Sequence, residues 1–264
     1  MKNTIGECTF SDGLSVSAAK RHKHNVYQMI YVTRGGVEYE IAGNKGSCDA
    51  PCVIFISNYE PHTIRGTSDE YGRYVVTLDP RKTDALLSDA PSLCTVFSIH
   101  SVGFKHAVGI GRIGNEFDVV FRQFASSFDG GAGEVRIWLT ALLSLLKRNF
   151  PDAFSEKSGN AEAITALVRT ELESDLQMRL DLDSLAAKHY VSRFYLAHIF
   201  KDITGYSLKR YQLLCRISYA CELLSASDFT VAEVSERCGI GDLSNFSRYF
   251  RQIMGMSPSE YRKK

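Results

Sequence analysis

The sequence predicts an α+β protein of two domains: an N-terminal β-barrel accompanied by a helical hairpin, then an all-α domain holding two helix-turn-helix units. Three observations lead there. Short stretches of alternating apolar residues, punctuated by Gly, Pro and Asn turns, fill roughly the first hundred positions. Beyond them the apolar spacing changes from two to three and four. The C-terminal part then repeats itself at an offset of 49 to 50 residues. At 264 residues the chain is long enough for two cores.

From His22 the chain alternates so that His22, His24, Val26, Gln28, Ile30 and Val32 share one face of a strand. Gly35-Gly36 turns it, Val37, Tyr39 and Ile41 form the next face, and the stretch from Gly43 to Gly46 signals a further turn. Cys52 to Ile56 and Arg73 to Leu78 read as two more strands, with a turn over Ser57 to His62 between them.

The spacing His22-x-His24-x3-Gln28-x6-Gly35, with His62 after a turn, resembles the first two motifs of the cupin barrel. That resemblance implies inward-pointing side chains, which in metal-binding cupins are two histidines, a glutamate and a third histidine. His22, His24 and His62 are therefore metal candidates, imidazole being a ligand for zinc, iron, copper or nickel. Gln28 stands where the glutamate would supply negative charge. A polar pocket without metal is the favoured reading, and no cofactor is expected.

Cys48 and Cys52 are four residues apart. On one continuous strand that separation is roughly 13 Å, beyond reach of a disulfide. Only a bend at Ala50-Pro51 would bring them together, so inert thiols are expected. The seven cysteines have no metal-finger spacing, which fits free thiols in a reducing compartment.

After a less patterned stretch from Pro80 to Asn115, Phe117, Val120, Phe121 and Phe124 repeat at helical spacing. The run from Gly130 to Gly133 interrupts them, and Val135, Trp138, Leu139, Leu142, Leu143, Leu145 and Leu146 resume the pattern. This is the hairpin. Its second helix has more leucine than one covered face needs, which suggests docking on the barrel together with pairing to a second copy. Residues 1–150 form the first domain, 151–160 a linker and 161–264 the second domain.

In the second domain, Leu182, Asp183, Ser184, Leu185 and Ala186 match the segment from Val231 to Ser235, and Leu196, Phe200, Ile203, Gly205 and Ser207 match Phe246, Phe250, Ile253, Gly255 and Ser257. Each unit reads as a short helix, a turn and a second helix capped by Ser192 or Asp242. The helix between the units is apolar at Leu208, Tyr211, Leu214, Ile217, Ala220, Cys221 and Leu224 and can join them rigidly. A spacing of about 34 Å would let both second helices enter successive major grooves. From Leu185 to Lys264 there are 12 Lys plus Arg against 7 Asp plus Glu, a local net of +5 in a chain whose total is +1. The charge alone does not identify a partner.

Three motifs carry a closer resemblance: LDSLAAKHYVSRFYLAHIFKDITGYS, the central Arg216, Ala220, Leu223 and Leu224, and GIGDLSNFSRYFRQIMGMSPSEYR. Through them residues 161–264 resemble the DNA-binding domain of the AraC family of transcription regulators. The resemblance implies sequence-specific binding to double-stranded promoter DNA, often as a homodimer, gated by a small-molecule effector in the barrel. RNA polymerase would be a further partner of an activator. Effector-site candidates are His22, His24, Gln28, Tyr31, His62 and Tyr74. On the first reading helix Arg193, Phe194, Ala197, His198 and Lys201 are left toward DNA; on the second, Leu243, Ser244, Ser247, Arg248 and Arg251. Arg248 is expected to grip the O6 and N7 edge of guanine, and Lys201 and Arg251 to meet phosphates. Phe194, Ala197 and Leu243 suit thymine methyls.

No nucleophile–base pair points to an enzyme. A cupin metalloenzyme fused to a DNA-binding domain and a ligand-independent regulator remain the alternatives. The amino terminus lacks the apolar core of an export signal, and the most lipid-like run, Trp138 to Leu146, is too short to span a bilayer. The expected location is the cytoplasm.

Overall fold

A computed structural model describes residues 5–12, 24–97, 105–154 and 160–263. The chain divides into two compact units, Met1–Lys157 and Ser158–Lys264.

In the first unit, β1 (Gly6–Asp12), β2 (Tyr27–Arg34), β5 (Cys52–Ile56), β7 (Gly72–Leu78) and β8 (Ala107–Gly109) form a five-stranded antiparallel sheet in the order β1-β7-β2-β5-β8. A three-stranded antiparallel sheet contains β3 (Gly36–Ile41), β4 (Asn44–Asp49) and β6 (His62–Gly66) in the order β4-β3-β6. The alternation read from the sequence divides two cores. Ile30 and Val32 lie with Ile54, Ile56, Val37, Tyr39 and Ile41 in one. Tyr27, Met29 and Tyr31, of opposite parity, lie in the other with Val53, Phe55 and Val76.

That second core belongs to the helices. The short helix α1 (Pro80–Leu86) starts at Asp79, whose carboxylate accepts from the Lys82 N–H at 2.9 Å. Helices α2 (Gly114–Ser126) and α3 (Ala132–Asn149) form the expected hairpin. Phe117, Phe121 and Phe124 of α2 and Val135, Leu139, Leu142, Leu143, Leu145 and Leu146 of α3 all enter the core with the five-stranded sheet. The leucine excess of α3 is thus absorbed within one copy. Phe154, placed in the linker by sequence, is buried in the same core within a short 3₁₀ turn, Pro151–Phe154. The linker reading is corrected there: an aromatic side chain finds more apolar surface on the sheet-and-helix core than in solvent.

The second unit contains α4 (Asn160–Ser174), α5 (Leu182–Lys188), α6 (Arg193–Thr204), α7 (Leu208–Ala226), α8 (Val231–Arg237), α9 (Leu243–Met254) and α10 (Pro258–Arg262). The pairs α5–α6 and α8–α9 are the two helix-turn-helix units. Ile217, Ala220 and Leu224 of α7 pack with Val234, Cys238, Phe246 and Phe250 in one core. Nearer its start, Tyr211 sits edge-on to Phe200 of α6 at 5.4 Å. α7 is anchored to the segment before α5 as well: Gln212 Nε2 donates to Met178 O at 2.9 Å and Arg216 Nε to Leu176 O at 2.7 Å. Leu167 of α4 is an apolar residue that stays 56% exposed. No helix among the described residues is long and apolar enough to cross a membrane.

Candidate functional site

The two second helices are built alike. Ser192 caps α6 by accepting from the Tyr195 N–H at 3.2 Å, and Asp242 caps α9 by accepting from the Asn245 N–H at 2.7 Å. Each ends on a left-handed glycine, Gly205 at φ 74° and Gly255 at φ 77°. Inside those limits the apolar spacing turns Leu196, Ile199 and Phe200, or Phe246 and Phe250, to the core. Arg193, Phe194, His198 and Lys201 stay exposed on α6, as do Leu243, Ser244, Arg248 and Arg251 on α9. Ala197 and Ser247 occupy equivalent half-buried positions.

The charged groups on these faces are not equivalent. On α6, His198 Nε2 lies 3.1 Å from Asp202, one turn on, and Arg193 lies 3.4 Å from Asp183 of α5 while its guanidinium covers the Phe194 ring at 4.7 Å. Each of these groups faces a carboxylate. On α9, Arg248 Nη2 donates to the neutral side chain of Asn245 at 2.7 Å, and its guanidinium lies over the Tyr249 ring at 5.0 Å. Arg251 stands 3.9 Å from Glu260. A guanidinium braced by an amide and a ring has no carboxylate to leave and fewer orientations to lose on meeting a base edge or a phosphate. Asn245 and Asp202 are the residues sequence reasoning missed, although their spacings of three and four to Arg248 and His198 put them within reach.

The effector candidates do not converge on one site. His24 and His62 stand edge to face at 4.8 Å, and His62, buried, has Nδ1 2.8 Å from Glu60 O. Gln28 is buried near one end of β2, on the same strand face as Ile30 and Val32. Tyr31 and Tyr74 belong to the opposite side of the five-stranded sheet. Their rings lie 6.2 Å apart, and Tyr31 meets Phe117 and Phe121 of α2 at 4.9 Å each. The grouping is corrected accordingly: Gln28 and Tyr31 have opposite parity on β2 and face different cores, and Tyr74 is the register partner of Tyr31 on β7. Burial, reinforced by Asp118, pushes the Tyr31 hydroxyl up to about 12. On that side lies a cleft of about 470 Å³ lined by Tyr31, Thr33, Arg112, Asn115, Glu116 and Asp118, among others. His22 lies outside the described residues. Among the described residues no three His, Cys, Asp or Glu side chains are grouped to hold a metal.

Comparison with known proteins gives both halves a relative. An AraC-like ligand binding domain model matches residues 4–131, and a helix-turn-helix domain model matches residues 185–264. The MmsAB operon regulatory protein of Pseudomonas aeruginosa is 41% identical over 93 residues, 35% of this chain and 30% of that protein. The Msm operon regulatory protein of Streptococcus mutans is 33% identical over 126 residues, 47% of this chain and 45% of that protein. The chain thus spans less than half the length of these two relatives. The HTH-type transcriptional activator RhaS of Klebsiella pneumoniae aligns over 99% of this chain and 94% of its own length at 23% identity. In fold, the chain is similar to ToxT from Vibrio cholerae, with a TM-score of 0.54 at 16% identity over 99% of this chain and 98% of that one.

Proposed function

The chain belongs to the AraC family of transcription regulators, and from that premise we propose that α6 and α9 read promoter DNA unequally under the control of a small-molecule effector held in the N-terminal unit. The observation that carries this reading is the contrast between two helices of matched construction. Arg193 and His198 on α6 each face a carboxylate, whereas Arg248 on α9 faces only an amide and a ring. α9 supplies the base-specific hydrogen bonds through Arg248, helped by Ser244 and Ser247. α6 contributes apolar contact through Phe194 and Ala197 and phosphate contact through Lys201. Leu243 offers α9 one apolar contact of its own, and Arg251 a phosphate contact.

The effector acts by binding one arrangement of the protein better than another, and DNA must then alter effector affinity by the same factor. His24, Gln28 and His62 form the inner polar group for that role. Tyr31 belongs instead to the cleft on the helical side of the sheet, and Tyr74 stacks beside it. The exposed face of the α2–α3 hairpin, with Val119 at 65% and Ile137 at 62% exposure, is where a homodimer would form. An activator of this build would also meet RNA polymerase, and the cytoplasm is the compartment where both it and DNA are found.

Selection of fragments from genomic DNA by the purified full chain tests the proposal. Recovered fragments should share two short elements about one helical turn apart, with one element more stringent in sequence. Recovery no different from random fragments would end the DNA-reading proposal. Two equally stringent elements would end the unequal division between α6 and α9.

A further inference from the structure

Cys48 and Cys52 do not share a strand. Cys48 lies on β4, opposite Val37 in the three-stranded sheet, while Cys52 starts β5, opposite Val32 in the five-stranded one. The chain reverses between them over Asp49, Ala50 and Pro51, where the Ala50 N–H donates to Gly35 O at 2.9 Å. The expectation of two thiols spaced along a continuous strand is therefore corrected. Both residues meet at Gly109 of β8: Cys52 is its register partner, and Cys48 Sγ lies 3.9 Å from the place a Cβ on Gly109 would take. The Cys48 thiol donates to Asp49 O at 3.7 Å, at the start of the reversal that leads to Cys52. Cys48 is partly exposed and Cys52 buried, and both are free thiols.

We propose that Cys48 and Cys52 form a reversible thiol–disulfide pair, oxidised by a hydroperoxide, that ties the two sheets together at one corner of the first unit. The environments divide the labour. Burial, with the adjacent Cys48 thiol, raises the Cys52 pKa and keeps it protonated. Cys48 is the thiol a peroxide can reach. Burial likewise pushes Cys8 and Cys221 up to about 11 and Cys94 up to about 12, so those thiols are poor competitors. In the first step the Cys48 thiolate attacks a peroxide oxygen, the S–O bond forms, the O–O bond breaks and hydroxide or alkoxide leaves with a proton. In the second, the Cys52 sulfur attacks the Cys48 sulfenic acid, the S–S bond forms, the S–O bond breaks, and the departing hydroxide takes the Cys52 proton as water. Two thiols are oxidised and one peroxide is reduced. A dithiol restores the pair.

The test uses the full chain and hydrogen peroxide, followed by acid quenching, alkylation and tryptic mapping. Both cysteines fall in one tryptic peptide, from Gly46 to Arg65. After oxidation that peptide is expected to be lighter by two hydrogens and to take no alkyl group until reduced, while the Cys8 and Cys94 peptides are alkylated as before. A peptide that still takes two alkyl groups when other cysteines have oxidised would overturn the proposal. So would one that stops at Cys48 sulfinic acid with Cys52 still alkylated. In Cys52→Ser, Cys48 should accumulate as a sulfenic acid that dimedone traps. In Cys48→Ser, a change at a partly exposed position, Cys52 should remain fully alkylated through the same treatment. Oxidation of Cys52 at the wild-type rate in that variant would also refute the assigned order.

Discussion

Replacing Arg248 by Ala removes the one guanidinium on either second helix that is braced by an uncharged partner, Asn245 at 2.7 Å, and by the Tyr249 ring at 5.0 Å. If its fork grips a guanine edge, the variant loses about 1 to 3 kcal/mol of discrimination, or about 5- to 150-fold in the ratio of cognate to scrambled affinity. Asn245→Ala leaves the charge and frees its direction. One lost hydrogen bond of about 0.5 to 1.5 kcal/mol predicts a drop in that ratio of about 2- to 12-fold. Because Asn245 acts on DNA through Arg248, the double variant should be no worse than Arg248→Ala alone. Anisotropy titrations on a selected site and its scrambled control, each at two salt concentrations, measure all of this. Equal weakening on both duplexes, with the salt slope shallower by about 0.9, would show that Arg248 meets a phosphate and would refute the base-reading assignment.

Two further predictions concern the second unit. Gly239, in the turn before α9, has φ 72°, and a Cβ there would stand 2.5 Å from Leu176 O and 3.2 Å from Gln177 Cα; Gly239→Ala should lower stability by at least about 1 to 2 kcal/mol. Tyr190 holds the matching turn of the first helix-turn-helix, between α5 and α6, at φ 56° and is 96% exposed, so Tyr190→Gly should leave stability unchanged or raise it by up to about 1 kcal/mol. Equal losses in denaturant midpoint for the two variants would contradict the backbone account. Buried Tyr211 donates to Glu173 and accepts from Arg169 Nε at 2.9 Å, so Tyr211→Phe should cost about 1 to 3 kcal/mol in urea unfolding. Burial holds the Tyr211 pKa well above its ordinary value, so the folded state binds the extra proton and this contribution, complete below about pH 10, is lost as pH rises further. The alkaline decline should be shallower in Tyr211→Phe, and an unchanged slope would remove Tyr211 from that decline.

The C-terminal unit was legible because its signals are local. A capping side chain, apolar residues at three and four and a terminal glycine each constrain a few consecutive positions, and at α9 all of them agree. Parity along β2 was equally legible: Gln28 and Tyr31 are three residues apart and so face opposite sides of a strand. That parity alone excludes one pocket holding both side chains. β4 offered much less. Its segment NKGSCD has no run of large apolar residues, since the strand's burial only alternates between partial and exposed, and its pairing with β3 is a non-local fact. The same non-locality hid the cysteine pair, because a four-residue separation measures distance only while the strand continues. The ion pair of Arg193 with Asp183 likewise depends on how α5 packs against α6. Residue types already made α9 the more polar of the two second helices, with Ser247 and Arg248 standing where α6 has Ala197 and His198, and packing adds carboxylates at Asp183 and Asp202 beside α6 and an amide at Asn245 beside Arg248.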